Sequence, residues 1–146
     1  MQISATYRFP APVADVWDLL MDPNAIEACL PNCRKLQSLG EDRYQTELLI
    51  GVAAVSGSFA TSIALVEKVP RESYRLNVEA TGKSGFARGV ARIRLSSEGE
   101  GTAVTVVADA EVGGLFARVG QRLLEGVARL MTDRFFECLA KRVTPA

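Results

Sequence analysis

Residues 2–9, QISATYRF, alternate strictly: Ile3, Ala5, Tyr7 and Phe9 fall on one side, and Ser4, Thr6 and Arg8 on the other. That period of two predicts a half-buried strand. Beyond Pro10 and Pro12 the period lengthens. Val13, Val16, Trp17 and Leu20 recur at helical spacing, and Asp22-Pro23 supplies a cap and a first residue for a second short helix reaching about residue 28. From 34 to 112 alternation returns. Turn residues break it at Gly40-Glu41-Asp42, Ser56-Gly57, Pro70-Arg71-Glu72, Gly82-Lys83-Ser84-Gly85 and Glu98-Gly99-Glu100-Gly101, which predicts six antiparallel strands. In the fifth of these, Ala87, Gly89, Ala91, Ile93 and Leu95 share one face, while Arg88, Arg92 and Arg94 share the other and face solvent.

The chain from 115 to about 143 reads as one long amphipathic helix. At 100° per residue, Phe116, Gly120, Leu123, Leu124, Val127 and Met131 fall on one arc, drifting toward Ala128, Phe135 and Leu139. Arg118, Arg122, Glu125 and Arg129 lie opposite, with Glu125 and Arg129 spaced as an i,i+4 ion pair. The predicted fold class is α+β: a seven-stranded antiparallel sheet covered by the long C-terminal helix, with two short helices after the first strand. We expect residues 1–146 to form a single domain. Several inward positions are small, namely Gly57, Ala80, Ala87, Gly89 and Ala91 on the sheet and Gly120 on the helix arc. A glycine inside a helix costs about 1 kcal/mol relative to alanine. Either the backbones pack closely there or room is being kept.

Composition narrows the chemistry. Lys+Arg 17 balance Asp+Glu 17, so the general attraction to phosphate backbones is missing and nucleic acid is not an expected partner. No N-terminal leader or membrane-span pattern is apparent, which leads us to expect a soluble, cytoplasmic protein. Histidine is absent. Ser-His and Cys-His nucleophilic catalysis and imidazole metal ligation are thereby excluded. Cys29 and Cys33 are spaced C-x3-C, unlike zinc or redox motifs, and together with Cys138 we read them as reduced, small apolar residues. Asp109 and Glu111 share a strand face opposite Val104, Val106 and Ala108 and read as solvent-exposed charge rather than an acid-base pair.

The run DAEVGGLFARVGQRLLEGVARLMTDRFFECL, with its Gly-Gly turn, Ala-x-x-Gly-x-Arg-Leu and terminal Phe-Phe, resembles the CoxG family of carbon monoxide dehydrogenase subunits. That family lies within the START-like helix-grip (SRPBCC) superfamily. VWDLLMDPNAIEACLPNC and GFARGVARI are also similar to its pattern. The resemblance implies a helix-grip fold with a curved sheet around an elongated apolar cavity. It also implies an accessory role beside molybdenum hydroxylases such as aerobic carbon monoxide dehydrogenase, with a quinone or other lipophile bound and no covalent or metal cofactor. Peripheral contact with the inner face of the membrane fits that role. The chain stops at Pro145-Ala146 without the C-terminal extension of longer members, so a tether of its own is not expected.

Candidate cavity-wall residues are Trp17, Tyr44, Phe59, Ile63, Leu76, Phe86, Phe116, Gly120, Leu123, Val127 and Met131, each at an inward parity or arc. The same stripe also reads as plain core. Arg118 and Arg122 are candidates for a docking surface or a guard at the cavity mouth, or simply a wetted face. The leading expectation is a noncatalytic lipophile-binding protein. The alternative is a cyclase- or hydratase-like enzyme of the same superfamily, using Tyr44, Tyr74 or an inward carboxylate on a hydrophobic substrate.

Overall fold

The computed structural model describes residues 1–51 and 56–143. Pro145-Ala146, where no tether is expected, lie outside the described residues. The seven antiparallel strands are β1 (Gln2–Phe9), β2 (Gln37–Gly40), β3 (Arg43–Ile50), β4 (Gly57–Val69), β5 (Ser73–Gly82), β6 (Gly85–Glu98) and β7 (Gly101–Gly113). They lie in the order β1-β7-β6-β5-β4-β3-β2, so every neighbour is a chain neighbour except β1, which pairs with the last strand. Hairpins form at four of the five expected turns, and the connection from β3 to β4 includes residues 52–55, which lie outside the described residues. Alternation is visible in burial: Phe59, Thr61, Ile63 and Leu65 of β4 are buried while Ala60 and Ser62 are exposed. The inward side chains leave water, and this sets the register of each strand.

α1 (Val13–Met21) and α2 (Pro23–Cys29) follow β1. The Asp22 carboxylate accepts a hydrogen bond from the Asn24 N–H at 2.9 Å and Pro23 opens α2, as the cap reading requires. The Thr102 hydroxyl donates to the Ala11 carbonyl at 2.8 Å, which fixes the β1–α1 connection against β7.

The single helix expected from 115 to 143 is two elements. Gly114 has φ 67°, a left-handed conformation that glycine adopts without steric penalty, and it starts a 3-10 turn, Gly114–Arg118. Val119 and Gly120 are extended, and α3 (Gln121–Arg142) begins after them. Gly120 is therefore the N-cap of α3, not an interior residue, and the premise that a helix interior gives up a side chain there is corrected. A glycine in a helical pattern marks an interior gap or a boundary equally well in sequence, and here it marks the boundary.

Three contacts lay α3 along the sheet edge and α2. The Tyr7 hydroxyl donates to Asp133 Oδ1 at 2.6 Å, and the Tyr7 ring stacks on Phe136 at 4.9 Å. Burial first, and then the Asp133 carboxylate, raise the Tyr7 phenol far above its ordinary pKa. The Cys29–Cys138 disulfide joins the end of α2 to α3 with Cα atoms 5.4 Å apart. This corrects the reading of three reduced cysteines. Partners 109 residues apart leave no spacing signature, since only the tertiary fold brings them together. Cys33 stays free, its thiol 2.9 Å from the Thr46 hydroxyl, and burial raises its pKa. The expected Glu125–Arg129 pair is also replaced. Glu125 accepts from Gln121 at 3.2 Å, and Arg129 reaches the Ser4 carbonyl at 3.5 Å.

Large side chains gather in two clusters. One packs Trp17, Leu20, Tyr74, Ile93 and Phe136 beneath α1 and α2. The other packs Phe59, Phe116, Leu124 and Val127 at the 3-10 turn, with the Phe59 and Phe116 rings 5.6 Å apart.

Candidate functional site

Between these clusters the inner face of the sheet carries small residues. Across β5, β6 and β7 the register sets Ala80 beside Ala87, Gly89 beside Ala110 and Ala91 beside Ala108. Side chains this short cannot span the distance to α3, and a cavity of about 310 Å³ remains. Its floor is that small-residue patch. Its sides are Ile63 and Leu65 of β4, Tyr74, Leu76 and Val78 of β5, and Ile93 of β6. Ala128, Met131, Thr132, Phe135 and Phe136 of α3 roof it, while Ile26, Leu30 and Pro31 border it beside α2. From Tyr74 to Ala80 the β5 wall is six residue steps, about 20 Å at roughly 3.3 Å per step.

The lining is almost wholly apolar. Two of its hydroxyls are already committed: Thr61 donates to the Phe59 carbonyl at 3.1 Å and Thr132 to the Ala128 carbonyl at 2.7 Å. Arg88, Val90 and Asp109 also border the cavity, but strand alternation carries their exposed side chains to the outer face, so they reach it through backbone. Burial pushes the Tyr74 phenol far above its ordinary pKa, keeping it neutral and a proton donor at physiological pH. Among the described residues, no group of three or more His, Cys, Asp or Glu is placed to hold a metal ion.

Of the residues singled out in the sequence, Ile63, Leu76 and Met131 stand on the cavity wall. Trp17, Tyr44, Phe59, Phe116 and Val127 are buried in the flanking clusters outside it. Phe86, Gly120 and Leu123 do not face it. Phe86 shares the outer parity of Arg88, whose guanidinium lies 5.5 Å from its ring, and the ring covers Gly113, where a Cβ would sit 2.3 Å from it. Gly120 borders open space, and Leu123 is 39% exposed. Of the small residues, Gly57 is exposed and outside the lining. Arg118 and Arg122 are exposed at the junction of the 3-10 turn and α3, without an ion-pair partner among the described residues. Asp109 and Glu111 are exposed as expected, with Arg88 3.8 Å from Glu111. Thr61, Thr132 and Phe136 escaped notice. Inward parity pointed to Thr61, but a hydroxyl was not counted as lining; Thr132 and Phe136 adjoin Met131 and Phe135, which the drifting arc already reached.

Residues 6–144 match the family model described as the CoxG subunit of carbon monoxide dehydrogenase. Among solved structures, a conserved protein from Geobacillus kaustophilus is 36% identical, with 97% of this chain and 93% of that one covered and a TM-score of 0.92. A START superfamily protein from Mycobacterium smegmatis is 15% identical at a TM-score of 0.75, with 97% of this chain and 96% of that one covered. This second likeness shows the START-like helix-grip fold alone. No curated protein matches the chain.

Proposed function

The chain belongs to the CoxG family of carbon monoxide dehydrogenase subunits, and from that membership and the cavity we propose a noncatalytic carrier of a lipophilic, quinone-like molecule. On this reading it serves a molybdenum hydroxylase of the aerobic carbon monoxide dehydrogenase type, as the family's name suggests. The carrying observation is the apolar cavity of about 310 Å³ between helix and sheet. An unfilled apolar space forfeits the dispersion contacts of every atom that lines it, and a resident apolar molecule restores them. The volume is at the lower end of ordinary ligand pockets, enough for a ring system. Among the described residues no carboxylate side chain points into it, Asp109 being exposed on the outer face, so the cyclase- or hydratase-like reading ranks second. Arg118 and Arg122, exposed beside the 3-10 turn, are where we place contact with the oxidoreductase. We place that contact at the cytoplasmic face of the membrane, where a lipophile would be collected. Among the described residues no helix is long and apolar enough to cross a membrane.

The test is native mass spectrometry of the protein purified from its own cells. A bound lipophile of discrete mass, removable by solvent extraction, is expected. Repeated recovery of empty protein that also fails to bind a quinone in titration sinks the proposal.

A further inference from the structure

Tyr74 is 5% exposed, lies on the inner face of β5 and borders the cavity. Its ring is held edge-on to Trp17 at 5.7 Å, beneath α1. Its hydroxyl has no hydrogen-bond partner among the described residues. The contrast with its neighbours is informative, because the Thr61 and Thr132 hydroxyls each donate to a backbone carbonyl of their own element. The sealed, unpartnered side-chain polar atoms among the described residues are Arg75 Nε and Asn77 Oδ1; the Tyr74 oxygen is not one of them and so keeps surface open to a small molecule that can accept its hydrogen bond. The other hydroxyls of the lining, those of Thr61 and Thr132, bond elsewhere, and the remaining inward side chains offer it apolar surface.

We propose that the Tyr74 hydroxyl is the hydrogen-bond donor of this cavity, so that the molecule it takes is an apolar compound bearing a carbonyl oxygen, held with that oxygen at the α1 end. The proposal rests on the reading of the cavity as a site for a quinone-like lipophile and adds the residue that recognises the ligand's oxygen and the direction in which the ligand lies. A pure hydrocarbon fills the space and leaves the phenol unpaired. A ketone or quinone of the same skeleton fills it and satisfies the phenol. The cavity therefore discriminates between two molecules of nearly equal shape. The small-residue floor of Ala87, Gly89 and Ala110 lies at the far end of the same strands, so any apolar extension of the ligand runs that way.

Duroquinone and durene share one carbon skeleton and differ by two carbonyl oxygens, which makes them the probes. Calorimetric titration of the intact protein and of Tyr74→Phe, with both melts recorded, reads the difference. Tyr74→Phe should weaken duroquinone binding roughly fivefold to tenfold, the worth of one neutral hydrogen bond, and leave durene binding unchanged or slightly tighter. An equal effect on both probes, or none on either, overturns the proposal and leaves the carrier function standing. If the unaltered protein binds neither probe, the carrier function fails and this inference fails with it. A second measurement needs no variant. The carbonyl stretch of duroquinone bound to the unaltered protein should lie below its value in hexane, and an unshifted band overturns the proposal.

Discussion

Substituting leucine for Ala91 adds a branched side chain to the floor of the cavity, where the fold leaves space rather than atoms. Insertion into a packed core costs ~1–3 kcal/mol, but here the new atoms enter a void. Ala91→Leu is therefore expected to melt within a few degrees of the parent and to bind duroquinone at least ~10-fold more weakly, by thermal melting and calorimetry. Gly120→Leu is the control: it projects into open space, leaves binding unchanged and weakens only the α3 cap. The residue pattern made Ile63 and Leu76 legible, because a strand's parity needs only a count of two from any known inward neighbour. The floor was legible for the same reason. Phe86 was misread because its aromatic character outweighed its position. It shares parity with Arg88, and alternation puts both on the outer face.

α2 and α3 are joined by one covalent link. The Cys29–Cys138 disulfide closes a loop of 109 residues, long enough for the chain-entropy effect to be near its upper range. Reduction, or Cys138→Ser, should lower stability by about 2–5 kcal/mol, read as the shift in urea midpoint with and without reductant. Cys33→Ser should behave as the parent in the same assay. At this scale the sequence was informative about strands and less so about helices. Four strand breaks appeared where turn residues cluster, because glycine, proline and acidic pairs act on the backbone locally. The helix start was misplaced because the 3-10 turn and α3 both continue an apolar arc, and only Gly114 and Gly120 separate them. The disulfide partners and the Tyr7–Asp133 bond, 126 residues apart, belong to tertiary geometry that no local pattern encodes.

The whole molecule places two packed clusters on either side of a thinly furnished middle. Any molecule binding there binds only the folded chain, so saturation must raise the melting temperature. At a free duroquinone concentration 100 times its dissociation constant the gain is about 2.7 kcal/mol, or roughly 5–10 °C for a chain of this size. Differential scanning calorimetry at increasing ligand should show that rise, and a fixed melting temperature under saturation would count against binding to the folded state. The motifs at both ends of the chain made family membership legible from sequence. The phenol's missing partner was not, because a lone tyrosine at an inward strand position looks the same whether its hydroxyl is satisfied or waiting.

The far border of the sheet has its own consequence. β2 is four residues long, exposed throughout, and interrupted by a bulge between Ser38 and Gly40. A row of free amide and carbonyl groups that short and irregular is a poor template for a foreign strand, whereas β3 without it would bare the straight edge from Arg43 to Thr46, the rest of that edge being held by residues 32–34. The smallest strand thus works as a selvedge, keeping one copy of the sheet from knitting onto the next.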